Sequence, residues 1–255
     1  MPLDIVTLPC LSDNYAFLIH DAASGETAVV DVPESGVISE ALTSRGWTLS
    51  HVLLTHHHWD HIDGLTALLE AHPAKVIGAA ADAHRLPPLD HAVSEGDSFD
   101  FGGETMEVID VSGHTVGHIA FYLPQTGAVF TADSLMALGC GRLFEGDPDM
   151  MWTSLSKLAT LPAETIVCSG HEYTEANARF AITVDPENPA LKARITDITA
   201  ARAKGQPTVP STMAEELATN PFLRAVSPDV QRFLGMTGAP PAQVFAEIRQ
   251  RKDNF

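Results

Sequence analysis

The stretch V-L-L-T-H-H-H-W-D-H, residues 52–61, decides how this chain is read, because an apolar run leads straight into four histidines and an aspartate. Residues two apart on an extended chain share a face, so His56 and His58 present their imidazoles together while His57 points away. Asp60 and His61 fall in the turn before a helix expected to start near Asp63, where the chain can aim two further ligands at a second point. A solvated histidine patch would not follow an apolar run such as Val52 to Leu54, and buried imidazoles without partners are costly. A cation satisfies them all, and two metal ions are the economical reading.

On either side of this run, short β-branched stretches bounded by turn residues predict strands at 15–19, 27–32, 51–55, 75–79, 105–111, 118–123, 128–131 and 165–168. Helical spacing falls at 37–42 and 65–69, with a third helix over 148–161. The class is α/β. Three later groups sit where strands end: His114 in V-S-G-H-T-V-G-H, Asp133 in F-T-A-D and His171 in C-S-G-H, the position where α/β folds place their sites. His20, His51, His72, His84 and His91 are expected on the surface, and His118 is expected to pack or orient rather than to ligate.

All 12 histidines lie at or before His171. Residues 1–172 carry 5 basic and 24 acidic side chains, and residues 173–255 carry 10 and 9. After His171 the pattern is helical, at 175–184, 189–203, a capping box from Thr212 to Glu215, and 241–251, with no strand expected. The expected organisation is a catalytic domain over 1–172 and a small helical domain over 173–255.

A formal net charge of -18 repels phosphate backbones and anionic lipid headgroups, so neither nucleic acid nor membrane is expected as a partner, and no protein partner is implied. The uncharged stretch 111–132 holds His114, His118, Pro124 and three glycines and reads as a pair of strands rather than a membrane span. The opening M-P-L-D-I-V-T-L-P-C has no basic segment before its apolar residues and does not read as a signal peptide. Cys10, Cys140 and Cys168 are too few and scattered for a disulfide framework and read as buried small hydrophobes. A cytoplasmic location is expected.

The run T-H-H-H-W-D-H, together with G-H-T-V-G-H, F-T-A-D and S-G-H-E-Y, resembles the metallo-β-lactamase superfamily. The chain as a whole is similar to the glyoxalase II (hydroxyacylglutathione hydrolase) family. That likeness extends through D-N-Y (13–15), G-C-G-R-L-F-E-G (139–146), P-T-V-P-S-T (207–212), N-P-F (220–222) and the terminal R-K-D-N-F. The resemblance implies an αββα sandwich followed by a helical domain that helps bind glutathione. It implies one metal held by His56, His58 and His114, the other by Asp60, His61 and His171, and Asp133 bridging them.

Zinc is the first expectation for the two ions, with iron or manganese as alternatives. A metal-bound hydroxide is the expected nucleophile, with Asp60 and Asp133 as the catalytic carboxylates that hold the ions. The resemblance further implies glutathione contacts from Arg142, Tyr173, Arg249 and Lys252, with Phe144 standing where the family usually has a tyrosine. The implied reaction is hydrolysis of glutathione thioesters such as S-D-lactoylglutathione. A lactonase, a β-lactamase, a persulfide dioxygenase with one iron and a nuclease share the ligand set. Acidity speaks against the nuclease and the basic helical end against the first two, while oxygen uptake would expose the dioxygenase. A metal-storage or metal-sensing protein is the non-enzymatic rival, and it would show no thioester turnover.

Overall fold

A computed structural model describes residues 3–255, so Met1 and Pro2 of the opening segment lie outside the described residues. The chain divides into two compact units, one of residues 1–110 with 116–131 and the other of residues 111–115 with 132–255. Among the described residues no helix is long and apolar enough to cross a membrane.

The first unit begins with β1 (Asp4–Cys10), β2 (Asn14–His20) and β3 (Thr27–Val30), then α1 (Ser35–Arg45), β4 (His51–Leu54), α2 (Trp59–Ile62), α3 (Leu65–Ala71), β5 (Lys75–Ala79) and β6 (His91–Val93). Its six strands lie in the order β1-β2-β3-β4-β5-β6, antiparallel through β3 and parallel from β3 to β6. The parallel pairs require crossovers: α1 lies in the one from β3 to β4, α3 in the one from β4 to β5, and the 3-10 turn Ala80–Asp82 in the one from β5 to β6. Ile38 and Leu42 of α1 and Leu65 and Leu68 of α3 bury with Val29, Val52, Leu54 and Val76 in one apolar cluster.

Four more strands, β7 (Ser98–Phe101), β8 (Glu104–Asp110), β9 (Ile119–Leu123) and β10 (Ala128–Ala132), pair antiparallel in sequence order. The β7–β8 hairpin turns on Gly102 and Gly103, both at positive φ, as a two-residue loop of matching twist requires. Phe17 of β2 meets Phe130 of β10 edge-on at 5.6 Å, and His51 meets Phe101 at 5.7 Å, so the two sheets of this unit pack through aromatic contacts. The parallel strands β3, β4 and β5 deliver Asp31, Thr55 and residues 80–82 at their carboxyl ends.

In the second unit β11 (Leu135–Met136) and β12 (Gly139–Cys140) form a small hairpin, and β13 (Ile166–Ser169) pairs antiparallel with β14 (Ser211–Thr212). Helix α4 (Pro148–Leu158) starts on Asp147, which accepts the Met150 N–H, with proline in the first turn. Helices α5 (Thr174–Val184), α6 (Pro189–Arg202), α7 (Met213–Thr219), α8 (Pro228–Phe233) and α9 (Pro241–Asp253) follow. Thr212 and Glu215 form the capping box expected at the start of α7. Glu216, fully buried, accepts from the Leu138 N–H at 2.9 Å, Asn220 Nδ2 at 3.0 Å and Arg194 Nη2 at 2.5 Å, tying α6 and α7 to the loop after β11.

The structure corrects several expectations. Helix begins at Trp59, so Asp60 and His61 lie inside a helical turn rather than ahead of it. Strand β14 occurs in the part expected to be wholly helical; a two-residue strand carries no periodicity to read. His20 is buried, stacked on Trp47 at 4.1 Å and bonded to Thr27, because both faces of β2 are covered. His51, half-buried, packs on Phe101, whereas His84 and His91 are exposed as expected.

Candidate metal centre

In the first unit the site grows from Asp31. This residue follows β3 at φ 58° and is buried, and its N–H bonds to the Leu53 carbonyl at 2.9 Å. Its Oδ1 accepts the Thr55 N–H at 2.9 Å, and its Oδ2 accepts both the Thr55 hydroxyl and His61 Nδ1–H at 2.8 Å. Since the single Thr55 proton goes to Asp31, Thr55 Oγ1 accepts from His56 Nδ1–H at 3.0 Å. One carboxylate therefore fixes the tautomer of two histidines, leaving each with an Nε2 lone pair.

The rings are close. His56 lies 4.3 Å from His61 and 4.8 Å from His58 between centroids, and His118 stacks on His56 at 4.5 Å. Asp31, His56 and His61 offer ligand atoms all within 4.8 Å of one another. His118 Nδ1 donates to the Ile119 carbonyl at 3.1 Å, in keeping with a packing role. Asp60, part-exposed, is steered by Asn14 Nδ2, which donates to its Oδ2 at 3.1 Å and to its carbonyl at 3.0 Å. His57 points the other way, to Asp82, as the alternation predicts.

In the second unit His114, Asp133 and His171 are all buried. His114 Nδ1 donates to the Arg142 carbonyl at 2.7 Å, so its lone pair is again on Nε2, and that atom lies 3.4 Å from Asp133 Oδ2. His171 Nε2 lies 3.3 Å from Asp133 Oδ1, and its ring stacks on Tyr173 at 4.6 Å. Asp133 thus shows one oxygen to each histidine. The loop after β12 passes so close that a Cβ on Gly141 would sit 2.1 Å from the Asp133 carbonyl and 2.8 Å from His114 Nδ1; only glycine fits.

These donor sets fit divalent cations. A lone pair on His114 Nε2 facing a carboxylate oxygen at 3.4 Å, and one on His61 Nε2 facing Asp60 Oδ2 at 3.8 Å, are acceptors opposed to acceptors. A cation between them turns each repulsion into ligation. Backing of the ring Nδ1–H by a carboxylate or carbonyl is the arrangement that orients ligating histidines.

The residues expected to hold glutathione are distributed unevenly. Phe144 is 61% exposed and stands edge-on to His114 at 5.3 Å; Tyr173 is 39% exposed. Arg142 is exposed, with Nε 3.8 Å from Asp253 Oδ1. Arg249 is buried instead: Nε and Nη2 donate to Asp253 Oδ1 at 3.1 and 2.8 Å, and Nη1 donates to the Cys140 carbonyl at 3.1 Å. Lys252 sits over the rings of Phe180 and Phe255 at 5.1 and 5.5 Å; burial first, then Arg249 and Arg179, brings its ammonium down to about 8. All three cysteines are buried, and burial pushes the Cys140 thiol up to about 11, the form least able to act as a nucleophile.

Sequence reasoning missed Asp31 and Thr55. The signal was present, since T-A-V-V-D ends an apolar strand on an acid just as F-T-A-D does. Asp82 also went unnoticed, and nothing in its surroundings A-A-A-D-A-H marks it.

Comparison with known proteins agrees with this architecture. Residues 13–171 match the model of the metallo-beta-lactamase superfamily, and residues 172–255 match that of the hydroxyacylglutathione hydrolase C-terminus. The chain is 69% identical over 255 residues to the hydroxyacylglutathione hydrolase of Ruegeria pomeroyi and 64% identical over 255 residues to that of Cereibacter sphaeroides, covering 100% of each protein in both cases. Among solved structures it resembles ETHE1 from Myxococcus xanthus, with 26% identity, TM-score 0.63, and 99% of this chain and 98% of that one covered. It also resembles the BLEG-1 B3 metallo-beta-lactamase, with 21% identity, TM-score 0.67, and 86% and 99% covered; that likeness bears on the fold alone.

Proposed function

The chain belongs to the hydroxyacylglutathione hydrolase family of the metallo-beta-lactamase superfamily, and from that premise we propose that it hydrolyses S-(2-hydroxyacyl)glutathione thioesters, S-D-lactoylglutathione among them, to glutathione and a 2-hydroxy acid. The observation that carries the reading is identity of 69% spread over all 255 residues, including the helical part that the lactamase model does not reach. The chain is a metal-dependent hydrolase that binds divalent metal. In the finer reading it binds two ions, zinc before iron or manganese, one through His56, His58 and His114 and the other through Asp60, His61 and His171, with Asp133 shared. Residues 1–172 form the catalytic domain in this reading, residues 173–255 the glutathione-binding one, and the enzyme works in the cytoplasm.

Held by these histidines and aspartates, divalent metal would supply Lewis acidity, for activating water and for polarising the thioester carbonyl. The protein's own residues do the rest. Asp31 holds His56, through Thr55, and His61 in the tautomer that keeps Nε2 available. Asn14 aims Asp60, and the Arg142 carbonyl aims His114. Arg142, Tyr173, Arg249 and Lys252 are the proposed glutathione contacts, and the exposed Arg142 guanidinium with the Lys252 ammonium suits a ligand with two carboxylates on a chain of net charge -18. Phe144 offers a ring but no hydroxyl to the glutathione peptide.

The test is steady-state turnover of S-D-lactoylglutathione beside a thioester lacking the glutathione peptide, a lactone and a β-lactam. Selective hydrolysis of the glutathione thioester supports the reading, and comparable turnover of the peptide-free thioester or of the lactone overturns it.

A further inference from the structure

His57 is the one histidine of the T-H-H-H-W-D-H run that the ligand assignment does not use, yet the structure holds it firmly. Its Nδ1–H donates to Asp82 Oδ2 at 2.8 Å, and Asp82, on the short 3-10 turn Ala80–Asp82 that follows β5, is fully buried. The other oxygen of Asp82 accepts Arg85 Nε–H at 2.5 Å, and Arg85 Nη2 donates to the Val116 carbonyl at 2.7 Å. Val116 belongs to G-H-T-V-G-H, so a single carboxylate and guanidinium link the first histidine run to the second. The neighbouring Gly117 has φ 97°, and a Cβ there would lie 3.1 Å from Asp82 Cβ, so the backbone is kept bare where it lies against the carboxylate.

A buried carboxylate paired with arginine is poor evidence of stabilisation for its own sake, since desolvation offsets most of the attraction. Here it has a geometric consequence. Pinning the middle residue of an extended tripeptide by its far face fixes the backbone on both sides, and with it the 4.8 Å, 75° relation between His56 and His58. Resting on the assignment of those two histidines as ligands, we infer that Asp82 and Arg85 are positioning residues for the metal centre, acting on His56 and His58 through His57 and on the second histidine run through Val116.

The test uses the full-length protein stripped of metal. Zinc affinity is read by competition with a chromophoric chelator, coordination by the absorption spectrum of the cobalt(II) form, and folding by the thermal midpoint of the metal-free protein. Asp82→Asn keeps the shape but sets an amide NH2 against one of its two donors. We expect roughly 10- to 100-fold weaker zinc binding, the range for groups that orient ligands, with an altered cobalt spectrum. His57→Ala should do the same. His57→Asn, whose amide can still donate to Asp82, should recover most of the affinity, a rescue that simple destabilisation would not produce. Arg85→Met, at a part-exposed side chain, gives a second variant should Asp82→Asn fail to fold, and the same weakening is expected of it.

His56→Ala separates the two levels of the argument. If it keeps the full metal complement, the ligand assignment falls and this inference with it. If it loses an ion while Asp82→Asn and Arg85→Met bind zinc within twofold of the unaltered protein, or if His57→Asn is no better than His57→Ala, the positioning role alone is overturned.

Discussion

Replacing Asp31 with asparagine changes one atom, and its effect can be worked out from the hydrogen bonds. Asp31 Oδ1 accepts the Thr55 N–H, an interaction that asparagine keeps with its carbonyl oxygen. The Oδ2 position then becomes an NH2 facing His61 Nδ1 and the Thr55 hydroxyl, both of which donate in the native arrangement. The site can relax only by moving the His61 proton from Nδ1 to Nε2, which removes the lone pair needed for ligation. Restoring that lone pair strands one donor against another, at a cost of about 1–3 kcal/mol for a buried unsatisfied group. The affinity of the ion held by His61 should therefore fall roughly 5- to 150-fold. The shape of the side chain is unchanged, so folding should survive, and nitrogen NMR of the metal-free protein should show His61 in the opposite tautomer. The assay is chelator competition. Zinc affinity within twofold of the unaltered protein, with His61 still protonated at Nδ1, would show that Asp31 does not set the His61 tautomer.

Lys252 has its ammonium brought down to about 8 from 10.5, so the free protein loses that positive charge as pH rises through about 8. KM for the anionic thioester should climb above that pH with kcat flat, and Lys252→Met should start from a higher KM and show no such rise. The linked stability has the opposite sign: the unfolded chain binds this proton more tightly, so this group's contribution to stability increases between about pH 8 and 10.5. Phe144→Tyr should lower KM roughly two- to tenfold at nearly constant kcat, the worth of one neutral hydrogen bond of about 0.5–1.5 kcal/mol; unchanged or weaker binding would show a pocket shaped for the phenyl ring. Arg194→Met leaves the buried Glu216 without its guanidinium, costing about 3–5 kcal/mol and so lowering the thermal midpoint by roughly 10 °C, read by calorimetry without any substrate.

What the sequence reveals follows from how local each signal is. Alternation along residues 55–58 separates His57 from His56 and His58, and the structure has that arrangement, because face selection on an extended chain depends on adjacent residues alone. The capping box at Thr212 is equally local. Asp31 is not: its partners Thr55 and His61 lie 24 and 30 residues away and meet it only because β3 and β4 run parallel side by side. The Asp82–Arg85 pair is local, but its links to His57, 25 residues before Asp82, and to Val116, 31 residues on from Arg85, come from distant parts of the chain. The basic cluster at 249–252 is visible in the sequence, as is the i,i+4 spacing of Arg249 and Asp253, but nothing local shows that Arg249 also reaches Cys140 or that Lys252 rests on the ring of Phe180.

A metal titration of activity shows directly whether two divalent ions, bound by the histidine and aspartate sets, make this chain a glutathione thioesterase. Metal-free protein at known concentration is titrated with zinc while hydrolysis of S-D-lactoylglutathione is followed. With two ions required, the rate should reach its plateau at two equivalents per chain. A plateau at one equivalent, or an absence of hydrolysis with both sites filled, would contradict it.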